Sequence, residues 1–410
     1  MRASLEIRTV PLDQLRAWAD SVSFANSEEM TDDVWKDVLP TVEPERTLGV
    51  YDADQIVGGG SIYSFDTTVP GGAAVSSAGV TWIGIMPTHR RRGGLRQLMT
   101  AMFQNARARG EPLAVLWASE GSIYERFGYG LATLAGSIDL EKERAVLRTN
   151  EPAHGSVRLI DIDEAARTFP PIFEANRVHR PGFYTRSELW WRIDVLGDYT
   201  WTRRGMDRRF YALHETDGRP DAYAMYRVNH AWADGIPGSE LHVSEIMAVD
   251  GDALREMWRF IFGVDLIKRI KMRANDPNDP LLLMLAEPRR LSLRLRDGLW
   301  LRVLDVPAAL ERRGYSADGS IVLEVRDEFV PDAGGRFRLT ATGGHGAVER
   351  TTDAAEVALD ASDLGAVYLG GFSFADLARA GRTRELVSGA RARADTIFYS
   401  PAPAWCPQTF

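Results

Sequence analysis

The sequence predicts a mixed α/β (α+β) protein in three parts: a first fold, a degenerate second copy of it, and a smaller α+β domain of another plan. Three observations predict this. Along the first third the hydrophobic period switches repeatedly between about 2 and about 3.6 residues, so strands and helices alternate. From about residue 158 the same order of elements returns in diverged form. A proline-containing segment, NDPNDPLLLMLAEPRR, then separates these copies from shorter strands and helices. The expected parts are residues 1–150, 151–287 and 288–410, and 410 residues with 45% hydrophobic content suffice for more than one core.

LEIRTV reads as the first strand, after which Leu12, Leu15, Trp18, Ala19 and Val22 recur at helical spacing, and DDVWKDVL reads as a second short helix. TLGVYD and QIVGGGSIYSF form a hairpin ending at Pro70-Gly71-Gly72, followed by the strand AAVSSAGVTWIGIMP. Between Leu95 and Ala106, Leu98, Met99, Met102 and Phe103 share a face that Arg96, Gln97, Gln104 and Asn105 avoid, which defines an amphipathic helix. PLAVLWAS is a strand, and GSIYERFGYG leaves it through a short helix. In the second copy RLIDI is a strand, 163–178 a helix, RFYALHETDGRPDAYAMYRV a hairpin turning at Asp217-Gly218, ELHVSEIMAV a strand and 253–262 a helix. The third part offers the strands LSLRLRDGLWLRVLDV (turning at Asp297-Gly298), SIVLEVRD and GRFRLTATG, with helices near 307–313, 361–367 and 373–379. The tail SPAPAWCPQTF is more apolar than a disordered end.

Composition narrows the function. A net charge of −8 disfavours nucleic acid as a partner and favours cationic small molecules. One cysteine, Cys406, excludes an intrachain disulfide framework, and the seven histidines form neither an HExxH motif nor an i, i+4 pair, so no metal is expected. MRASLEIRTVPLDQL lacks a signal-peptide apolar run, and no stretch of 18 or more apolar residues occurs, so a cytoplasmic protein without membrane association is expected.

The second copy lacks one segment of the first, PTHRRRGG, which lies directly between a strand and the amphipathic helix. Glycines allow backbone N–H groups to approach a phosphate, the helix N-terminus contributes partial positive charge, and arginines add full charge, so a pyrophosphate would sit here. A solvated basic turn is the plainer alternative. The wider stretches IGIMPTHRRRGGLRQLM and LWASEGSIYERFGYG, together with DLGAVYLGGFSFADL and a Trp405-Cys406 pair shortly before an aromatic last residue, resemble the enhanced intracellular survival (Eis) family of GNAT N-acetyltransferases. Leu95 stands where the pyrophosphate loop of such enzymes often has a small residue.

The resemblance implies tandem GNAT folds, the second degenerate, followed by a sterol-carrier-like domain, in an acetyltransferase that uses acetyl-CoA. It implies that Ile83, Gly84 and Ile85 meet the pantetheine arm, that Arg91, Arg92, Gly93, Gly94, Leu95 and Arg96 cradle the pyrophosphate, and that Ser119 and Glu120 close the site. Ile83 and Ile85 also suit core packing. Tyr124 corresponds to the proton donor; a phenol of pKa about 10 matches a departing thiolate. By composition alone Tyr124 and nearby Tyr129 are both packing residues. The carboxylate at Phe410 corresponds to the proton acceptor, ionised at neutral pH; a frayed end is the ordinary alternative.

The implied acceptor is an aminoglycoside-like polycation or a lysine, attacking the thioester directly in a ternary complex, in a homohexamer. Phe24, Glu28 and Trp35 are the candidate acceptor-binding residues, with Asp32 and Asp33 nearby, although those two also read as a solvated helix face. The competing readings are a GNAT enzyme dedicated to one amine metabolite or protein lysine, and a non-catalytic carrier of apolar ligands.

Overall fold

The computed structural model describes residues 5–149 and 154–410, and the expected boundary at 150/151 lies outside the described residues. The chain divides into two compact units. The first joins residues up to Thr133 with Gly298–Ala404 and the last two residues; the second comprises Leu134–Asp297 and Trp405–Gln408.

The first unit begins with β1 (Glu6–Thr9), α1 (Leu15–Ala25) and α2 (Asp32–Val38). Of the predicted apolar positions, Leu15, Trp18, Ala19 and Val22 are the buried stripe of α1, whereas Leu12 lies in the turn ahead of it and is exposed; the Thr31 hydroxyl caps α2 by accepting from Val34 N at 3.3 Å. Then come β2 (Leu48–Asp52), β3 (Gln55–Thr68), β4 (Ala74–Ile85), α3 (Gly94–Ala108), β5 (Leu113–Trp117), α4 (Gly121–Tyr124) and β6 (Gly130–Leu131). Helix α3 buries Leu98, Met99, Met102, Phe103 and Ala106, the face its sequence marks.

The sheet runs β1-β2-β3-β4-β5, then the strand Leu299–Val303, then β6. Strands β1 to β4 are antiparallel neighbours, whereas β4 and β5 are parallel, as a strand-helix-strand crossover requires. The segment LSLRLRDGLWLRVLDV is not a hairpin. Leu299–Val303 pairs with β5 and β6, whereas Arg294–Asp297 pairs with Leu134–Glu141 in the second unit's sheet. The sheet edge beside β5 is thus closed by a strand from almost 200 residues later, and its apolar residues are buried as a central strand requires.

Also in the first unit, a five-stranded sheet has the order His345–Arg350, Gly335–Thr342, Gly319–Arg326, Val357–Asp360, Arg384–Glu385. The three helices expected around it form at Val306–Arg312, Ala361–Tyr368 and Phe374–Arg379, and a fourth, Ala390–Phe398, has no clear sequence period.

The second unit repeats the plan of the first sheet. Ser156–Ile160, Phe210–Thr216, Arg219–Asn229 and Ser239–Ala248 are antiparallel neighbours; Ile267–Asn275 is parallel to the last of them and Leu134–Glu141 antiparallel beyond it. The turn between the second and third of these strands is Asp217 at φ 51° and Gly218 at φ 72°, the positive-φ pair a two-residue hairpin needs. The helix Gly251–Gly263 occupies the sequence place of α3 and buries Met257, Trp258 and Ile261. No helix among the described residues is long and apolar enough to cross a membrane.

Candidate active site

Strands β4 and β5 pair only at Ser77, Ala78 and Gly79. Beyond that, β4 keeps β3 as a partner, with a bulge between Gly59 and Ser61 and Trp82 at φ 54°, while β5 turns to Leu299–Val303. A bulge bends and twists its strand, and the two parallel strands separate into a V. The opening is part of a cleft of about 620 Å³ whose walls include Ile83, Gly84 and Ile85 of β4.

The floor of the cleft is the loop ahead of α3. Arg91 has φ 62° and Gly93 φ 83°, and Gly93 opens the helix with no side chain capping it. The first N–H groups of α3 therefore have no internal acceptor at the end where the helix dipole is positive. A Cβ on Gly94 would stand 2.9 Å from Leu5 Cδ1, so a larger residue here would require the Leu5 side chain to shift. Arg91, Gly93, Gly94, Leu95 and Arg96 all line the cleft, as do Ser119 and Glu120 at the opposite rim.

Arg92 is turned away. Its guanidinium donates to Asp52 Oδ2 at 2.7 Å, an oxygen that His89 Nε2 also approaches at 3.2 Å, and it holds the Asp52 carboxyl below the usual range. Arg92 thus clamps the loop to β2. Arg90, which sequence reasoning left unassigned, lines the cleft and donates to the carbonyls of Ile85 at 3.1 Å and Ala25 at 2.8 Å, tying the end of β4 to the end of α1. Asn26, Ile123, Arg126 and Phe127 are further cleft residues the sequence did not single out. Only Arg126 had a visible signal, a cation two residues after the candidate donor.

Tyr124 ends α4, is 6% exposed and lines the cleft. Burial raises its phenol pKa above the ordinary value, the Glu120 carboxylate adds to the rise, and a hydrogen bond with Ser119 opposes it. The phenol is a neutral proton donor throughout the physiological range. Tyr129 stands edge-on to it, with ring centres 6.1 Å apart, but is fully buried in the core. The structure thus separates two tyrosines that composition could not.

The tail is buried from Ala404 to Gln408, and the Phe410 ring packs edge-on against Phe65 at 5.0 Å and Tyr63 at 6.3 Å. Of the candidate acceptor residues, Phe24 is 64% exposed, Glu28 is exposed, and Trp35 packs against the cluster around Trp18; none of the three lines the cleft. Asp32 pairs with Arg16 at 2.5 Å on the surface, in keeping with a solvated helix face.

A bent strand diverging from its parallel neighbour, opposite an uncapped glycine-started helix, defines the GNAT class of N-acetyltransferases. Acetyltransferase (GNAT) domain models match residues 6–132 and 182–303, and a sterol carrier protein domain model matches 306–407. Enzymes of this class take their acetyl group from acetyl-CoA and pass it to an acceptor such as an amine. Among whole-chain relatives, N-acetyltransferase Eis of Mycobacterium tuberculosis is 36% identical, covering 95% of this chain and 94% of its own. An uncharacterized N-acetyltransferase of Streptomyces avermitilis is 37% identical over 99% of both chains. Eis1 of Mycobacterium abscessus superimposes with a TM-score of 0.85 at 29% identity, covering 99% of this chain and 100% of that one. A GCN5-related N-acetyltransferase of Anabaena variabilis shares the fold at a TM-score of 0.86 and 20% identity, over 99% of this chain and 100% of its own. The chain belongs to the Eis family of GNAT N-acetyltransferases.

Proposed function

We propose that this enzyme transfers the acetyl group of acetyl-CoA to a primary amine of a polycationic, aminoglycoside-like acceptor, with lysine side chains as the second acceptor class. The observation that carries the reading is the coincidence, in one cleft, of uncapped helix amides, several arginines and a buried, protonated phenol. Phosphates would take the α3 N-terminus with Arg91 and Arg96, and the acyl arm would run along Ile83, Gly84 and Ile85 in the V. Acetyl-CoA supplies an activated thioester.

In this reading the amine nitrogen attacks the thioester carbonyl directly. A backbone N–H of β4 stabilises the oxyanion, the carbon–sulfur bond breaks, and Tyr124 gives its proton to the departing sulfur. The proton lost by the attacking nitrogen goes to the carboxylate at Phe410, whose ring contacts with Phe65 and Tyr63 support an anchored end. Residues 1–150 act as the acetyl-CoA-binding domain, 151–287 as a degenerate support, and 288–410 as the domain that carries the tail, in a cytoplasmic homohexamer. Phe24, Glu28 and Trp35 are kept only as outer contacts of a large acceptor. The carrier reading is not favoured, because an opening in the third domain is lined mainly by charged residues, among them Arg326, Arg336, Asp360 and Asp363, with only Val325, Ala358 and Leu359 as apolar side chains.

The test is release of coenzyme A from acetyl-CoA in the presence of a polyamine aminoglycoside, comparing the native chain with one extended beyond Phe410. Turnover lost on extension, with coenzyme A affinity kept, is the expected result. Full activity in the extended chain removes the carboxylate from the mechanism, and a native chain active only on another amine replaces the acceptor.

A further inference from the structure

The cleft arginines do not stand by themselves. Arg96 lies in the first turn of α3, where a phosphate would be seated, and its guanidinium carbon is 4.9 Å from the centre of the Phe329 ring. Phe329 belongs to the sterol-carrier-like domain. Its ring is gripped edge-on by Phe103 at 5.6 Å and by Phe127 at 5.0 Å, and Phe127 in turn carries Arg126 at 5.1 Å. Arg96, Arg126 and Phe127 all line the cleft. Two cations are thus held by two rings in mutual contact, one of them brought in from a domain that the pyrophosphate motif does not include.

The loop bearing Phe329 is fixed by buried charge. Asp327 Oδ1 accepts from the N–H groups of Phe329 at 3.1 Å and Val330 at 2.8 Å, and its Oδ2 accepts from Arg302 at 2.6 Å. Arg302 is fully buried and donates to the Phe127 carbonyl as well, so one guanidinium anchors both rings. It passes over Gly128, where a Cβ would be 1.6 Å from its Nη1. Further along, Arg350 donates to the carbonyls of Asp332 at 2.7 Å and Gly334 at 2.9 Å, and Arg107 of α3 meets the Asp332 carboxylate at 3.0 Å.

We propose that Phe329 is a positioning residue of the acetyl-CoA site: it holds Arg96, and through Phe127 also Arg126, at the phosphate end of the cleft. The inference rests on the acetyl-CoA reading of that cleft. An arginine stacked on a ring face loses side-chain freedom before ligand arrives yet keeps its N–H edges available for phosphate oxygens. The third domain then acts in donor binding, apart from any role of its tail.

The experiment compares Phe329→Leu, which keeps an apolar side chain without an aromatic face, with Phe329→Tyr, which keeps the face. Calorimetric Kd values are measured for coenzyme A and for pantetheine, which lacks the phosphates, and steady-state constants for acetyl-CoA and S-acetylpantetheine. For Phe329→Leu the coenzyme A Kd and the acetyl-CoA KM rise roughly 3- to 30-fold, the range of one cation–ring contact, with kcat within about two-fold. The pantetheine values stay put and Phe329→Tyr restores native affinity. Unchanged coenzyme A affinity in Phe329→Leu overturns the proposal, as does an equal loss for pantetheine, which would mark ordinary packing. A native chain that binds no coenzyme A overturns the acetyl-CoA reading first and this inference with it; a native chain that binds it while Phe329→Leu binds equally well overturns this inference alone.

Discussion

The two GNAT folds share a sheet plan and differ at one helix end. In the first, α3 starts at Gly93 with no side-chain cap among the described residues, which leaves its leading amides open at the cleft. In the second, Asp250 caps the corresponding helix, its Oδ1 accepting from Asp252 N at 3.0 Å and Ala253 N at 2.9 Å. A carboxylate on these amides occupies the place an anion would take and repels a second one. The openings differ as well: about 620 Å³ in the first fold, and about 220 Å³ in the second, where Trp405 forms part of the wall. The Trp405 ring is 5% exposed and meets Phe183 edge-on at 5.4 Å. The comparison teaches that one sheet plan can carry two different helix starts: amides left open in the first fold, and amides taken by an aspartate beside a smaller opening with an indole in its wall in the second.

Four substitutions in the two folds, from the largest effect to the smallest, break or sharpen this contrast. Tyr124→Phe removes the phenol proposed to protonate the departing sulfur, and kcat falls by about 10²- to 10⁴-fold with acetyl-CoA KM little changed, as steady-state kinetics will read. Because burial raises the pKa of Tyr124, the native enzyme keeps its donor protonated and its activity does not decline on the alkaline side until pH passes the ordinary phenol range of about 10.

Trp405→Ala enlarges the second fold's opening and costs about 3–5 kcal/mol in urea unfolding. Calorimetry on this variant finds no additional coenzyme A site, since Asp250 still occupies the helix amides.

Asp194, whose carboxylate accepts from the Gln408 side chain, sharpens the contrast through pH. Crowding around its carboxylate pushes the pKa up to about 6, against the pull of Gln408, Arg186 and Arg209 and with a contribution from Glu245, but the residue keeps more than a third of its surface in solvent, which screens the shift and keeps its effect on stability small. A raised folded-state pKa gives stability that is fully present below the unfolded value near 4 and lost as pH rises through about 6. Melting temperatures of the native protein therefore fall relative to Asp194→Asn between about pH 4 and pH 6, and the difference is level above that window.

Tyr129→Phe is the smallest change. The Tyr129 hydroxyl is buried with no hydrogen-bond partner among the described residues, so stability shifts by less than about 0.5 kcal/mol and kcat by less than about two-fold.

Local signals made much of the first fold legible. The one-sided apolar face of α3 and the Asp217-Gly218 turn are set by residues within a few positions of each other, and they formed where the periodicity and turn chemistry placed them. The loop proposed to seat a pyrophosphate could be picked out for the same reason, since its glycines and arginines are contiguous. Arg92 was not. Its side chain is chemically equal to that of Arg91, and only the position of Asp52, 40 residues earlier, turned it out of the cleft. Tyr124 and Tyr129 were likewise equal in composition, and both are buried; the cleft, which Tyr124 lines and Tyr129 does not, parted them.

The sequence by itself determined most strands, helices and turns of the two GNAT folds and the glycine start of α3, because φ/ψ preference, amphipathic period and helix-start chemistry act over a few residues. Tertiary structure decided which strand closes each sheet, sending Leu299–Val303 to β5 and Leu134–Glu141 to the second unit. It decided equally that Phe329 would reach Arg96 and that Trp405 would enter the wall of the second opening. A strand edge or a ring face accepts many partners of the same chemistry, and the partner is chosen by burial summed over the whole fold, which no local stretch of sequence encodes.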